Sequence, residues 1–232
     1  MQEIGFDIIS DLNLQPNDSF NWQNKATSLY CIVAGNVSSN LRTVIQVLLH
    51  LSTLYHGVFF VPGKLEYETS ASLDTRTKEL LAIGDGLDNV LVLHHNVIVV
   101  DGVGLLGSNG WGNIENTLDA KNIEMTAAKY EDFTYLLRSL GKLQKHLDVK
   151  KVVVITSAVP KEELYFGEIP DNVVDQMPLC NILEDDTEKK VSHWVFGTYD
   201  KPVDLHIDNI NYISNAKNQY GPYHAKRLTV SI

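Results

Sequence analysis

The sequence is poor in cysteine and has no long apolar run. Its two cysteines, Cys31 and Cys180, lie far apart in a chain of 232 residues and lack the spacing of metal ligands, so we expect reduced thiols in a cytoplasmic protein. The most apolar stretch, residues 90–106, is interrupted by two histidines and by Asp101, so we expect no membrane span. The first ten residues, MQEIGFDIIS, lack the basic and apolar regions of a secretory signal.

Positive charge is also scarce. Lys and Arg number 19 against 29 Asp and Glu, which gives a formal net charge of −10. A field of this sign repels the phosphates of nucleic acids and anionic lipids. The densest basic groups are the pairs Lys150-Lys151 and Lys189-Lys190, and both lie beside acidic or apolar residues. We therefore expect neither nucleic acid nor a membrane as a partner.

Short apolar runs rich in Val and Ile alternate with helical patterns along the chain, and a hydrophobic content of 44% suits one compact domain over residues 1–232. The early alternation of strand and helix predicts a parallel sheet, whereas residues 90–106, with an Asp101-Gly102 turn, predict an added antiparallel hairpin. We expect an α/β fold with a two-sheet mixed β-sandwich flanked by helices. The predicted strands are 6–10, 29–33, 58–61, 90–93, 97–100, 103–106, 152–156, 193–196, 203–207 and 212–214, and the predicted helices are 41–55, 74–83 and 127–147.

The longest predicted helix, residues 127–147, carries an apolar stripe. Side chains three or four residues apart lie on one face of a helix, and such a face packs against a sheet. We assign this stripe to the core and give it no function. Its members are Phe133, Leu136, Leu137, Leu140, Leu143 and Leu147.

Five junctions between predicted strands and the following loops carry polar residues or glycine. The first is ISDLN, where an apolar strand runs into Asp11 and Asn13. The carboxyl ends of parallel strands meet at one edge of a sheet, where α/β proteins place their chemistry. An Asp-x-His there could hold a cation, whereas the neutral amide of Asn13 is a poor ligand for transition metals. The other four junctions are VAGNVSS, VPGKLEYE, VITSAVP and WVFGTYDKP.

In order and spacing, these junctions resemble those of the calcineurin-like metallophosphoesterases, which read approximately ISDLH, AGD, PGNHE, THHAP and GHTH. Two further segments are similar to that family, because LLGSNGWGN resembles its GATLW stretch and ISNAKNQYGPY resembles its closing SNPRGY. The fragments follow the family's order over nearly the whole chain. The resemblance implies the four-layer αββα fold of the family, with all five junctions clustered at one edge.

The resemblance also implies a site for two metal ions, but this sequence departs from the family's pattern there. Of the seven positions that hold the ions in the family, only Asp11 keeps the family residue. The histidine that would protonate the leaving group is replaced by Leu65. The other positions read Asn13, Asn36, Lys64, Ser157 or Ala158, Thr198 and Asp200.

These replacements remove the chemistry of two-metal hydrolysis. The ions lower the pKa of a bridging water and neutralise the phosphoryl oxygens. Asn36 replaces the shared anionic ligand, and Lys64 places an ammonium where like-charge repulsion opposes a divalent ion. Leu65 cannot transfer a proton. We therefore predict no metal, no other cofactor and no catalytic residue at this site.

Asp11, Lys64 and Asp200 allow two interpretations. They could form a rebuilt catalytic or anion-binding pocket, or Lys64 could lie between the two carboxylates and replace the charge of the ions. We favour the second interpretation, because a buried carboxylate without a counter-charge is costly. We expect the neutral polar residues to hydrogen-bond one another and the local backbone rather than a ligand: Asn13, Asn36, Ser157, Thr198 and Tyr199.

Three functions are compatible with this pattern, and a fold alone does not choose among them. The first, which the losses favour, is a catalytically inactive protein that acts as a binding or structural component of a larger assembly. The second is a divergent phosphoesterase that uses Asp11, Glu66 and Asp200 with a hard cation such as Mg²⁺. The third is a site that binds a nucleotide or phosphate through Lys64 and backbone N–H groups without cleaving it.

Two pairs of histidines lie outside the junctions. His94 and His95 stand between two predicted strands, where we expect one side chain on each face and no carboxylate or cysteine partner. His193 and His206 lie on adjacent predicted strands, but without a further His or Cys they are a poor metal site.

The expected partner is another protein or a second copy of this chain. An irregular excursion over residues 157–190 is a candidate surface, because exposed aromatic and Met side chains suit an interface, although a loop that covers the sheet fits equally. The apolar residues of the excursion are Tyr165, Phe166, Ile169, Pro170, Met177 and Leu179.

Asn is abundant and Arg is scarcer than Lys, which is typical of AT-rich genomes such as those of some phages. This bias suggests a place in a viral particle as an alternative to the cytoplasm.

Overall fold

A computed structural model describes residues 2–16, 18, 20, 26–112, 114, 119–165, 179–198, 201–217, 223–224 and 226–232. The strands in this part are β1 (Glu3–Ile9), β2 (Tyr30–Ala34), β3 (Gly57–Val61), β4 (Val90–Val92), β5 (Asn96–Val100), β6 (Val103–Ser108), β7 (Lys151–Thr156), β8 (Val191–Phe196), β9 (Val203–Ile207), β10 (Ile210–Ser214) and β11 (Lys226–Ser231). The helices are α1 (Leu41–Ser52), α2 (Lys64–Tyr67), α3 (Leu73–Asp85) and α4 (Ala120–Lys145), and two 3₁₀ helices span Glu162–Leu164 and Leu179–Asp185.

The strands form two mixed sheets. The first has the order β11-β1-β2-β3-β4, in which β1 to β4 run parallel and β11 runs antiparallel to β1. The second has the order β5-β6-β7-β8-β10-β9, in which β5 and β9 are the antiparallel edge strands. The predicted parallel sheet and the predicted hairpin are both confirmed.

Three apolar cores separate four layers. Residues of α1 and α3, such as Leu48 and Leu80, pack on the outer face of the first sheet. Ile32 and Val153 lie between the two sheets. Leu136 and its neighbours on α4 pack on the outer face of the second sheet. The predicted two-sheet sandwich flanked by helices is therefore confirmed.

The helix predictions were accurate in place but less so at the ends. α4 begins at Ala120 rather than at residue 127, because the side chain of Asp119 caps it by accepting from the backbone N of Lys121 and Asn122. It ends at Lys145, so Leu147 lies beyond the helix and is 85% exposed. Leu147 is thus not part of the packed stripe. No helix in the described part of the chain is long and apolar enough to cross a bilayer.

The excursion over residues 157–190 is only partly described. Residues 166–178, with four of its six apolar candidates, lie outside the described residues. Of the other two, Leu179 is buried in the core beside α4 and Tyr165 packs against that core. The expectation that these two residues are exposed is therefore wrong, because they cover the outer face of the second sheet.

Candidate functional site

The five junctions meet where β1, β2, β3, β7 and β8 end. The backbone N of Asp11 donates to Gly35 O at 3.1 Å, which ties the loop after β1 to the loop after β2. The backbone N of Gly197 donates to Thr156 O at 3.2 Å, which ties the loop after β8 to the end of β7. The carboxyl ends of parallel strands in both sheets thus build one site.

The carboxylate of Asp11 lies at the centre of this site. Asp11 is buried, and its Oδ1 accepts from Nδ2 of Asn36 at 2.8 Å and from the backbone N of Thr198 at 2.7 Å. The resemblance assigns Asp11 to a metal ion. Here the same oxygen is engaged by donors from the loops after β2 and β8.

The amide of Asn36 is used at both of its ends. While Nδ2 donates to Asp11, Oδ1 accepts from the backbone N of Leu65 at 3.1 Å. Asn36 therefore joins the loop after β1 to the start of α2. A carboxylate at this position could accept from Leu65 but could not donate to Asp11.

Ser157 and Thr198 complete the cluster. Oγ1 of Thr198 donates to Ser157 O at 2.6 Å and lies 3.4 Å from both Nδ2 of Asn36 and Oγ of Ser157. Ser157 is thus the residue of its junction that faces the site. The side chain of Ala158 instead packs against Gly110 and Gly112, on the side of the α4 core.

The remaining predicted site residues lie at the margin or outside the described residues. The side chain of Asn13 is exposed, and its Nδ2 donates to the backbone O of Asp11 at 3.2 Å. Lys64 is half-buried at the first position of α2. Tyr199 and Asp200 lie outside the described residues, so the placement of Lys64 between Asp11 and Asp200 stays a prediction.

Glu66 has a structural role that the sequence did not reveal. Its fully buried carboxylate accepts from the backbone N of Asn36, Val37, Ser38 and Gly63 at 2.5–3.2 Å. Burial raises the pKa of Glu66 to about 7, although the four N–H donors act to lower it. The carboxylate fixes the loop after β2 to the start of α2 and is not directed at a ligand.

Two glycines allow the loops to approach this closely. A Cβ on Gly63 would lie 2.4 Å from Oδ1 of Asn36 and 2.5 Å from Oγ of Ser157. A Cβ on Gly197 would lie 2.3 Å from Ala34 O and 3.1 Å from Oδ1 of Asp11. The junction glycines of the third and fifth motifs are therefore required by packing.

The site also holds strained backbone. Asp11, Asn13, Asn36 and Thr198 have φ between 47° and 59°, in the left-handed region. Asp and Asn enter this region with modest strain, whereas a β-branched Thr is an outlier there. Such strain costs about 1–3 kcal/mol per residue and persists only where surrounding contacts hold it. The Asp11, Asn36 and Ser157 contacts of Thr198 supply that restraint.

The described residues do not fit a pair of metal ions. Among the described residues, the side chains that contact Asp11 or one another here are one carboxylate, one amide and two hydroxyls, from Asp11, Asn36, Ser157 and Thr198. Across the described residues, no three His, Cys, Asp or Glu side chains lie together as a cation would require. Neutral amides and hydroxyls do not replace the anionic ligands and imidazoles of a two-metal centre.

A second polar cluster adjoins the site and corrects the prediction for His94 and His95. Their rings stack with centroids 4.5 Å apart, so both lie on the same side, and Nε2 of His95 lies 2.6 Å from Oδ1 of Asp132. The other oxygen of Asp132 accepts from the backbone N of Gly110 at 2.8 Å. The hydrogen bond to Asp132, followed by its charge, raises the pKa of His95 despite partial burial.

Asp132 could have been noticed in the sequence. It precedes Leu136 and Leu140 at four-residue spacing and thus lies on the apolar face of α4, where a buried charge needs a partner. That partner, His95, is distant in sequence. The histidine pair was therefore predicted to lack a carboxylate.

The other histidine pair is bridged by an amide. Oδ1 of Asn211 lies 2.7 Å from Nδ1 of His206, and Nδ2 of Asn211 lies 3.1 Å from Nε2 of His193. Burial, followed by the charge of Lys151, lowers the pKa of His193 to about 4. Asn211 occupies the position between the two rings that a shared metal ion would need.

No family model and no curated protein matches this sequence. Solved structures do match. A phosphopantetheinyl hydrolase from Mycobacterium tuberculosis is similar with a TM-score of 0.67 at 14% identity, over 97% of this chain and 96% of that one. GAP50, the anchor in the inner membrane complex of Plasmodium, is similar with a TM-score of 0.55 at 10% identity, over 97% of this chain and 77% of that one.

A putative 5′-nucleotidase from Staphylococcus aureus, solved in complex with α-ketoglutarate, is also similar. The TM-score is 0.59 at 15% identity, and the match covers 99% of this chain but 51% of that one. This chain thus spans about half the length of the nucleotidase. These likenesses, together with the two-sheet topology, show that the chain has the calcineurin-like metallophosphoesterase fold.

Proposed function

We propose that this protein is a catalytically inactive form of the metallophosphoesterase fold and acts by binding another protein or a second copy of itself. The observation that best supports this proposal is the 2.8 Å hydrogen bond between Nδ2 of Asn36 and Oδ1 of Asp11. Asp11 is the one position that keeps the family's metal ligand. Its carboxylate here accepts from the amide of Asn36, where the family pattern would place a metal ion. Hydrogen bonds within the chain hold these loops together, in place of bonds to a metal ion.

The geometry of Glu66 weighs against a divergent magnesium enzyme. Such an enzyme would need Glu66 beside Asp11 as an oxygen ligand. The Glu66 carboxylate is fully buried and already accepts four backbone N–H groups. Moving it to a cation would break the loop after β2.

The same bonds weigh against a phosphate-binding site at the start of α2. Backbone N–H groups bind phosphate only where they are available. Here the backbone N of Gly63 donates to Glu66 and that of Leu65 donates to Asn36. α2 is also only four residues long, so its dipole offers little attraction to an anion.

Two observations support a binding role. GAP50, which is similar in fold, is described as an anchor, so this fold occurs in a protein with a structural task. The net charge of −10 disfavours nucleic acid and anionic lipid and leaves protein as the favoured partner. We further propose that the protein acts in the cytoplasm or within a larger particle.

A turnover assay tests the loss of catalysis. Purified protein with added Mn²⁺ would be offered an aryl phosphate monoester and an aryl phosphate diester, with Asp11→Ala as the matched variant. We expect no turnover above buffer for either protein. Turnover that Asp11→Ala abolishes would overturn the proposal, because it would require a working metal site that contains Asp11.

A further inference from the structure

In the part of the chain that the structure describes, the two sheets have four edge strands, which are protected to different degrees. Sheet edges pair with other chains unless they are short, charged, bulged or covered. β4 is only three residues long, β11 begins with Lys226 and Arg227, and β9 exposes Asp204 and His206. β5, with the sequence NVIVV, has no charge and no proline.

The outer edge of β5 presents two apolar residues and their backbone groups. Asp101 and Gly102 both have positive φ, as in the two-residue turn that favours a hairpin, and Val100 pairs with Val103 across it. Hydrogen-bonded and non-hydrogen-bonded pairs alternate along such a hairpin, so the N–H and C=O of Val97 and Val99 point away from β6. Their side chains are 37% and 42% exposed.

This edge is complementary to itself. If two copies of β5 pair antiparallel about a twofold axis at Ile98, Val97 of one copy lies opposite Val99 of the other. In the same register, His95 at one end of the strand faces Asp101 at the other end of the second copy. Both residues are exposed, so a histidine that already bonds Asp132 of its own chain would lie opposite a carboxylate of the second copy.

The surface beside this edge is complementary in the same way. A shallow, open depression lies along α4 next to His95. Along the helix, its lining runs from acidic Glu131 to basic Arg138 and Lys142. α4 connects the parallel strands β6 and β7 and so returns antiparallel to them, as β5 does to β6. A twofold axis at Ile98 would therefore bring the acidic end of one α4 toward the basic end of its counterpart.

We infer that β5 is a dimerisation edge, and that two copies of this chain pair antiparallel through it to join their six-stranded sheets. A second copy is the occupant that fits, because the apolar pairs, the strand ends and the α4 charges are all complementary under one twofold axis. This inference deepens the proposed binding function and rests on it for its biological role. The contact itself is tested separately from metal binding or turnover.

Sedimentation velocity at physiological ionic strength tests the contact, since salt screens the repulsion between two acidic chains. We expect a dimer for the unmodified protein and a dissociation constant at least about tenfold higher for Val97→Lys with Val99→Lys, because four ammonium groups would meet at the axis. Ile45→Lys with Leu49→Lys on exposed positions of α1 is the matched control and should remain dimeric. A monomer at every concentration, or equal weakening by both variants, would overturn the inference.

Cysteine cross-linking tests the register and does not require the lysine variant to fold. Opposite residues of a non-hydrogen-bonded pair lie close enough for a disulfide. We expect Ile98→Cys to form a covalent dimer on mild oxidation, whereas Val99→Cys alone does not, because it faces position 97 of the second copy. A mixture of Val97→Cys and Val99→Cys chains should cross-link less efficiently than Ile98→Cys, because these positions form a more widely spaced hydrogen-bonded pair. The unmodified chain, with Cys31 and Cys180, should not cross-link. Failure of Ile98→Cys to cross-link would overturn this register.

Discussion

Nδ2 of Asn36 donates to Oδ1 of Asp11 across 2.8 Å, in a buried site built from the ends of parallel strands. In the family pattern that the sequence resembles, these two positions carry carboxylates that share an ion. Here the second position is a neutral amide that donates to the carboxylate of the first. This substitution of an amide for a carboxylate leads to the first prediction.

Asn36→Asp should destabilise the protein by about 2–4 kcal/mol at neutral pH, because it places a second buried carboxylate against Asp11 and removes the amide donor. Asn13→Asp is the matched control, and since the Asn13 side chain is exposed and would lose only its hydrogen bond to the backbone O of Asp11, we expect a loss of no more than about 1 kcal/mol. Urea denaturation measures both. An Asn36→Asp protein as stable as the unmodified one would contradict this account of the pair.

Gly63→Ala should cost about 2–3 kcal/mol, because a Cβ would lie 2.4 Å from Oδ1 of Asn36 and 2.5 Å from Oγ of Ser157. The backbone of Gly63 has φ −103°, which alanine adopts readily, so the loss would be steric. Gly141→Ala in α4 is the control. Its nearest contact would be 3.8 Å away, and we expect a gain of about 0.5–1 kcal/mol from helix propensity. Thermal unfolding of the two variants should move in opposite directions.

Glu66→Gln should destabilise the protein by about 1–2 kcal/mol at low pH, because the amide sets two N–H donors against the backbone N–H groups where the protonated carboxyl has one O–H. The folded-state pKa of about 7 is above the ordinary value of 4.5, so the contribution of Glu66 is fully present below pH 4.5 and is lost as pH rises through about 7. The difference between the two proteins should therefore shrink from about pH 5 to about pH 8. A difference that grows over this range in urea denaturation would contradict the sign.

Asp132→Asn should lower the pKa of His95, because the carboxylate that bonds Nε2 at 2.6 Å is the largest cause of its raised pKa. The stabilisation from this pair is present below the ordinary histidine pKa of 6.5 and is lost as pH rises through the folded-state value. The variant should thus lose more stability at acidic than at alkaline pH. NMR titration of His95 measures the pKa, and Glu131→Gln, which removes a weaker charge effect, should shift it less.

Much of the fold could be predicted from the sequence, because apolar runs end in turn residues. β3, β6 and β7 are formed by short apolar runs, and the Asp101-Gly102 turn marks the hairpin. β11 was missed, because its alternation places only Leu228 and Val230 inside and its first two residues are basic. Two inward-facing apolar residues are too few to predict a strand unless its neighbouring strand is known.

The residues that meet at the site could be predicted from the sequence, but the hydrogen bonds between them could not. Motif order placed Asp11, Asn36 and Thr198 near one edge, and the structure joins them by hydrogen bonds. The order of the motifs did not indicate that Glu66 binds the backbone of a loop about 30 residues earlier in the chain. Such long-range pairings depend on strand order and register, which local patterns do not encode.

The most direct measurement of the central claim is the metal content of the purified protein after dialysis against Mn²⁺. Elemental analysis should find far less than one equivalent of Mn, Zn or Fe per chain, because Asp11 is engaged by Asn36 and Thr198 and the described side chains that contact it are neutral. Asp11→Ala should give the same low content. One or more equivalents per chain in the unmodified protein, lost in Asp11→Ala, would contradict the account.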